Sequence, residues 1–117
     1  MNKTKVVSQY NGKKLIAKYA SIATAAGIVG AQPAHIGKVA AGKRITAAGY
    51  GWKYSQKLSD RLTTSRKGVT QLTADGTIVA VYESAEVAAN LTGINLSRIN
   101  KVLSGNSQKA GGFSWVA

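Results

Sequence analysis

Apolar and polar positions along the chain fall into a pattern that is written twice. Each copy opens with two short β-prone stretches around a turn. In the first, Val6-Val7-Ser8-Gln9-Tyr10 and Leu15 to Tyr19 flank Asn11-Gly12-Lys13. In the second, Gly68-Val69-Thr70-Gln71-Leu72 and Ile78 to Tyr82 flank Ala74-Asp75-Gly76-Thr77. Asn-Gly and Asp-Gly tolerate the positive φ of a tight reversal, so each pair of stretches predicts a β-hairpin. Two helices are predicted next. Ser21 and Ser84 stand where an N-cap belongs, followed by Ile22, Ala25 and Ala26 or by Ala85, Val87 and Ala88; Gly30 and Gly93 suit a left-handed closing turn. The second helix of each copy has its apolar stripe at i, i+3, i+4: Ile36, Val39, Ala40 and Ile99, Val102, Leu103. Pro33 fits the first turn of one, Ser97 is the expected N-cap of the other, and Gly42 and Gly105 end them. Gly49-Tyr50-Gly51-Trp52 and Gly112-Phe113-Ser114-Trp115 each predict a last short strand added to the hairpin.

The duplication is explicit from Tyr19 to Trp52, which aligns without a gap on Tyr82 to Trp115 at an offset of 63 positions. Identical pairs include Tyr19/Tyr82, Ser21/Ser84, Ala25/Ala88, Gly30/Gly93, Ile36/Ile99, Lys38/Lys101, Gly42/Gly105 and Trp52/Trp115. They are anchors, caps, turn glycines and tryptophans, the residues that hold a backbone in place. The expected fold class is therefore α+β. It consists of two tandem small modules, each a β-hairpin, a helix-turn-helix-like helical pair and a closing short strand. The divisions are a first module over 1–53, a basic linker over 54–67 and a second module over 68–117. At roughly 3.3 Å per extended residue the linker reaches up to ~50 Å. That is enough to set two modules on major-groove faces ~34 Å apart and give a footprint of about one and a half helical turns.

Charge gives this architecture a direction. Sixteen Lys and Arg against four Asp and Glu leave a formal net charge of +12, which favours nucleic acid, an anionic surface or an acidic protein as partner. Residues 1–53 hold nine bases and no acid, whereas 68–117 hold three of each, so the first copy and the linker carry the excess. There is no cysteine, which excludes disulfides and thiolate metal sites. No apolar run approaches the ~20 residues needed to span a bilayer. Met1 to Lys5 is followed by polar Ser8, Gln9 and Asn11 rather than by the apolar stretch of a secretory signal. The expected place is the cytoplasm of a bacterial cell or a phage-infected host.

The inventory of catalytic groups is nearly empty. His35 is the single histidine, and Asp60, Asp75, Glu83 and Glu86 scatter over the linker, a hairpin turn and a helix start. Metal-dependent hydrolysis needs convergent ligands, and Glu83 and Glu86 answer to Ala20 and Ala23 in the other copy. The glycine-rich pieces lack the spacing of a phosphate loop or dinucleotide fingerprint. No catalysis, metal, cofactor, small-molecule substrate or membrane partner is expected.

What remains is the free face of each second helix. In copy 2 it carries Ser97, Arg98, Asn100, Lys101 and Ser104; in copy 1 it carries Ala34, His35, Gly37, Lys38 and Ala41, with Gln32 just before. Early residues of a recognition helix meet base edges in the major groove, where Arg pairs with guanine and Asn or Gln with adenine. Arg98 and Asn100 are thus the leading base-reading candidates, with Ser97, Gln32 and His35. The same side chains on a solvated helix face need no function at all. Lys38 and Lys101 are the one basic position common to both copies, suited to a phosphate contact. Lys43, Arg44 and Lys109, in the loops that follow, can grip the flanking backbone. Tyr19, Tyr82, Trp52 and Trp115 offer either core packing or base stacking, and their place at the edges of a small core favours packing.

The second copy resembles a known family. Val81-Tyr82-Glu83-Ser84, Ala88-Ala89, Ile99-Asn100-Lys101-Val102-Leu103-Ser104-Gly105 and Ala110-Gly111-Gly112-Phe113-Ser114-Trp115 carry the likeness. They resemble the nuclease-associated modular DNA-binding domain of the first type, found beside the catalytic domains of phage homing endonucleases. Copy 1 matches more loosely, through Ala20-Ser21, Ala25-Ala26, Ile36 to Gly42 and Ala48-Gly49-Tyr50-Gly51-Trp52. The resemblance implies sequence-specific contact with double-stranded DNA through the helical pair, here without the usual nuclease. Two rivals stand beside it. One is a small basic inhibitor or adaptor that docks on a host protein or nucleoprotein complex. The other is RNA binding, which is weaker because no exposed stacking-aromatic pattern is evident.

Overall fold

Turn chemistry places the first strands where the sequence puts them. A computed structural model describes residues 6–55 and 68–116. Strands β1 (Val6–Asn11) and β2 (Lys14–Tyr19) pair antiparallel around Gly12, whose φ of 66° is in the left-handed region. Helices α1 (Ile22–Val29) and α2 (Pro33–Ala40) follow, then β3 (Gly51–Ser55), which pairs with β1. The same order recurs as β4 (Val69–Leu72), β5 (Ile78–Tyr82), α3 (Ala85–Thr92), α4 (Leu96–Leu103) and β6 (Ser114–Val116), with β6 on β4. The protein is mixed α+β, with four helices and a six-stranded antiparallel sheet among the described residues. Tyr54 and Ser55 belong to β3; residues 56–67, the rest of the segment read as a linker, lie outside the described residues.

The sheet order is β3-β1-β2-β5-β4-β6. Its centre is the β2–β5 pairing, with Ala17 opposite Tyr82, Lys18 opposite Val81 and Tyr19 opposite Ala80. Two backbone bonds flank it, Ala20 N–H to Val79 O and Glu83 N–H to Ile16 O, both 2.9 Å. Lys14 Nζ lies 3.0 Å from Glu83 Oε2 across the same seam. The sequence suggested two halves joined through a linker alone; here they also share a main-chain hydrogen-bond ladder. Such a ladder leaves two sheet edges where separate three-stranded halves would have four.

Register sorts the two sheet faces. Val7, Gln9, Ala17, Tyr19, Trp52, Val69, Gln71, Ala80, Tyr82 and Trp115 share the face that meets Ala25, Ile36, Ala88 and Ile99 from the helices. Lys53, Ser8, Lys18, Val81, Thr70 and Val116 form one row on the other face. The four aromatics are core residues, at most 2% exposed, which settles packing against base stacking for them. Tyr19 packs 6.0 Å from Trp52 and, edge-on, 6.0 Å from Tyr82 across the seam; Tyr82 packs 6.0 Å from Trp115. Each phenol is satisfied: Tyr19 Oη donates to Gln9 Oε1, and Tyr82 Oη donates to Gln71 Oε1 at 2.6 Å. Burial pushes both phenols above the ordinary tyrosine range.

Local signals end the helices as expected. Ser21 and Ser84 accept from the amides of Thr24 and Val87 at 3.1 Å, and Gly30 and Gly93 close α1 and α3 in the left-handed region. Before β3 and β6 the chain reverses over Ala48-Gly49 and Gly111-Gly112, all four at positive φ, as a type I′ turn requires. Ala47 O and Ala110 O each accept the indole N–H of the following tryptophan at 3.0 Å. No helix among the described residues is long and apolar enough to cross a membrane.

Candidate nucleic-acid interface

Helices α2 and α4 carry the candidate residues, and each is held from below. α2 packs on β3 and on α1; α4 packs on β6 and on α3. Ile36 and Ile99 are fully buried, anchoring the stripe predicted for them. Both helices close identically. Lys43 N–H reaches Lys38 O and Gly42 N–H reaches Val39 O, while Asn106 N–H reaches Lys101 O and Gly105 N–H reaches Val102 O, all between 2.8 and 3.1 Å.

The start of α4 corrects one expectation. Asn95, not Ser97, is the N-cap, its side-chain oxygen accepting from Ser97 N–H at 2.8 Å. Asn caps as well as Ser does, and the helix starts at Leu96, which is half-buried. The offset of 63 already pairs Leu96 with Pro33, so the signal was present in the alignment. Ser97 thereby moves from the cap to the first turn, exposed, which keeps it on the candidate face.

On α4 the outward positions Ser97, Asn100, Lys101 and Ser104 repeat at helical spacing, and Arg98 is exposed beside them. Ser104 is used locally: its hydroxyl donates to Lys101 O at 3.1 Å and accepts from the Asn106 side-chain amide. Arg98, Asn100 and Lys101 make no side-chain hydrogen bond or ion pair with the described residues. The corresponding face of α2 is Ala34, Gly37, Lys38 and Ala41, with His35 half-buried. Gln32 occupies the N-cap position without a side-chain capping bond and is exposed. Lys38 and Lys101 sit in the last turn of their helices, where a cation also complements the C-terminal partial charge, so structure alone gives the shared position a reason.

The sheet order puts these residues in two patches rather than one. Arg98, Asn100, Ser97, Lys101 and Lys109 belong to the β6 flank; Gln32, His35, Lys38, Lys43 and Arg44 belong to the β3 flank. Lys43, Arg44 and Lys109 are all exposed. The β3 flank adds residues that the sequence reading left out. A groove of about 710 Å³ runs between the end of α2, the β1–β2 turn and β3, and Lys13 and Lys53 line it together with Arg44, Ile45, Tyr10 and Tyr54. Lys53 Nζ sits 5.4 Å from the centre of the Tyr10 ring. The signal was a difference between the copies: Lys13 answers to the Asp75-Gly76-Thr77 turn, and Lys53 answers to Val116.

Among the described residues the acidic groups stay away from both patches. No Asp or Glu lies in 32–55 or 95–116. Glu83 is at the central seam, Glu86 is in the first turn of α3, and Asp75 is in the β4–β5 turn. The Thr73 hydroxyl, Thr77 and its backbone N–H donate to the Asp75 carboxylate and hold its pKa below the usual value. Among the described residues no group of three or more His, Asp or Glu gathers to hold a metal ion. No family model, curated protein or solved structure matches the chain.

Proposed function

We propose that the chain is a non-enzymatic, cytoplasmic double-stranded DNA-binding protein of phage or bacterial regulatory type. In this reading it consists of two tandem modules akin to the nuclease-associated DNA-binding domain. Each module presents its second helix, α2 or α4, to one half-site. The observation that carries the reading is the exposed face of α4. Ser97, Arg98, Asn100 and Lys101 stand free on a helix whose underside, cap and closing turn are all fixed. A rigid element bearing side chains with two-pronged donors and acceptors is what direct readout of base edges requires. The net charge of +12, with no acid near either patch among the described residues, supports the long-range attraction. Arg98 and Asn100 act as the principal readers, Ser97, Gln32 and His35 as secondary ones, and Lys38, Lys101, Lys43, Arg44 and Lys109 as phosphate contacts.

A second reading, docking on a host protein, rests on the β3 groove, where Ile45 is 89% and Tyr54 42% exposed beside three cations. The two are separated by fluorescence anisotropy of the full chain with a labelled random-sequence 30-mer duplex at about 50 mM salt. Saturable binding that weakens steeply with salt is expected. Absence of binding at low salt refutes the DNA reading.

A further inference from the structure

We propose that the DNA target is an inverted repeat with unequal halves, one read strictly by α4 and the other loosely by α2. The inference rests on the DNA-binding reading and adds the orientation and grading of its half-sites.

Orientation follows from the seam. At the offset of 63, Lys18 corresponds to Val81, and these two residues face each other in the β2–β5 ladder. A residue paired with its own equivalent lies on a local twofold axis, here perpendicular to the sheet. The main-chain contacts near the seam obey that axis, and only the Lys14–Glu83 ion pair breaks it. Ala17–Tyr82 is exchanged with Tyr19–Ala80, and Ala20 N–H to Val79 O with Glu83 N–H to Ile16 O. The Tyr19–Tyr82 edge contact maps onto itself. The bulges match as well, Ile16 and Val79 each being the extra residue opposite Gln9-Tyr10 and Gln71-Leu72. The sheet order reads as one half and its rotated copy, with α1 meeting α3 at the centre and α2 and α4 on the flanks.

A rotation of 180° reverses the direction of a recognition helix along the duplex, whereas a translation keeps it. Two-fold proteins accordingly read inverted repeats, and simple tandem arrays read direct ones. Although its sequence is a direct repeat, this fold is a rotational one. Five inter-strand steps of ~4.8 Å set β3 about 24 Å from β6. The helices lie on those flanks of a molecule 44 Å long, which accommodates half-sites one turn of DNA apart.

Grading follows from the two faces. Where α4 has Arg98 and Asn100, α2 has His35 and Gly37. Glycine reads nothing, so the α2 half rests on Gln32 and His35.

The test selects bound duplexes from a pool with a random 30-base-pair core, using the full chain, and sequences them. The expected motif is an inverted repeat with half-site centres about 10 base pairs apart, one half sharply and one weakly defined. A direct repeat, or a single undivided site, overturns the inference while leaving DNA binding intact. Failure to bind any duplex at low salt overturns the DNA-binding reading itself. A second arm uses the His35→Arg/Gly37→Asn variant, which gives α2 the α4 readers. A Cβ on Gly37 meets only the flexible end of Ile22, at 3.8 Å, so the fold is kept. This variant should prefer a perfect palindrome of the α4 half-site over the wild-type motif by about tenfold or more. An unchanged motif overturns the assignment of α2 to the loose half.

Discussion

Salt is the most direct probe of the interface, because the structure decides which cations can contribute. Each phosphate neutralised adds about 0.9 to the slope of log K against log salt. Lys14 is engaged by Glu83 at 3.0 Å, and Lys18 is half-buried at the middle of the sheet face opposite the helices, away from the groove that Lys53 lines at the edge of that face; neither Lys14 nor Lys18 should count. With Arg98 left to the bases, the exposed cations of the α2 and α4 flanks among the described residues are Lys38, Lys43, Arg44, Lys101 and Lys109. Five phosphate contacts correspond to a slope of about −4.5 and to a loss of about 500-fold in affinity between 50 and 200 mM salt. If the β3 groove also follows the backbone, Lys13 and Lys53 steepen the slope to about −6.3. The assay is an anisotropy titration of a fixed 30-mer duplex at five or six salt concentrations. It is run for the wild type, Lys38→Gln/Lys101→Gln and Lys13→Gln/Lys53→Gln. Each double variant should flatten the slope by about 1.8. A wild-type slope shallower than about −2, or one unmoved by Lys38→Gln/Lys101→Gln, refutes the placement of the backbone contacts. A slope unmoved by Lys13→Gln/Lys53→Gln removes only the groove.

Three further predictions concern reading and stability. Arg98→Ala should cost about 1–3 kcal/mol on the selected site and far less on random duplex, measured by competition anisotropy; equal losses on both would make Arg98 a phosphate contact. Tyr19→Phe should destabilise by about 1–3 kcal/mol in urea unfolding, because it strands the buried Gln9 side chain, whose Nε2 already lacks a partner among the described residues. Adding Gln9→Leu should recover most of that loss, and a double variant as unstable as the single would show that shape, not polarity, governs the site. Ala48, at φ 56°, stands where the other half has Gly111, so Ala48→Gly should gain about 0.5–1 kcal/mol after the entropy it adds to the unfolded chain. Gly111→Ala should do the reverse and more, since its Cβ would run into the Ile94 side chain; thermal melts of both variants decide.

Much of the candidate site was legible because its scaffold is local. Tyr19, Tyr82, Trp52 and Trp115 announced a core by recurring at the edges of each copy, and they are buried. The Ile36 and Ile99 stripes told which face of each helix remained free. The cap of α4 was misplaced by two residues because Asn95 and Ser97 cap equally well in isolation. Lys13 is distant in the chain from Arg44, and Lys53 is separated from it by the turn into β3, so the three line one groove only once the chain is folded.

The division between sequence and tertiary structure is physical. Hairpin turns, serine caps, left-handed closing glycines and the helical stripes depend on neighbours within a few residues, so the sequence by itself determined the ten elements and their order. The β2–β5 seam depends on main-chain groups that every residue carries, and Lys14 and Lys18 on β2 are the kind of side chain that more often marks an open edge. Only the folded chain decided that the halves share one sheet. That pairing turned a direct repeat of sequence into a twofold arrangement in space.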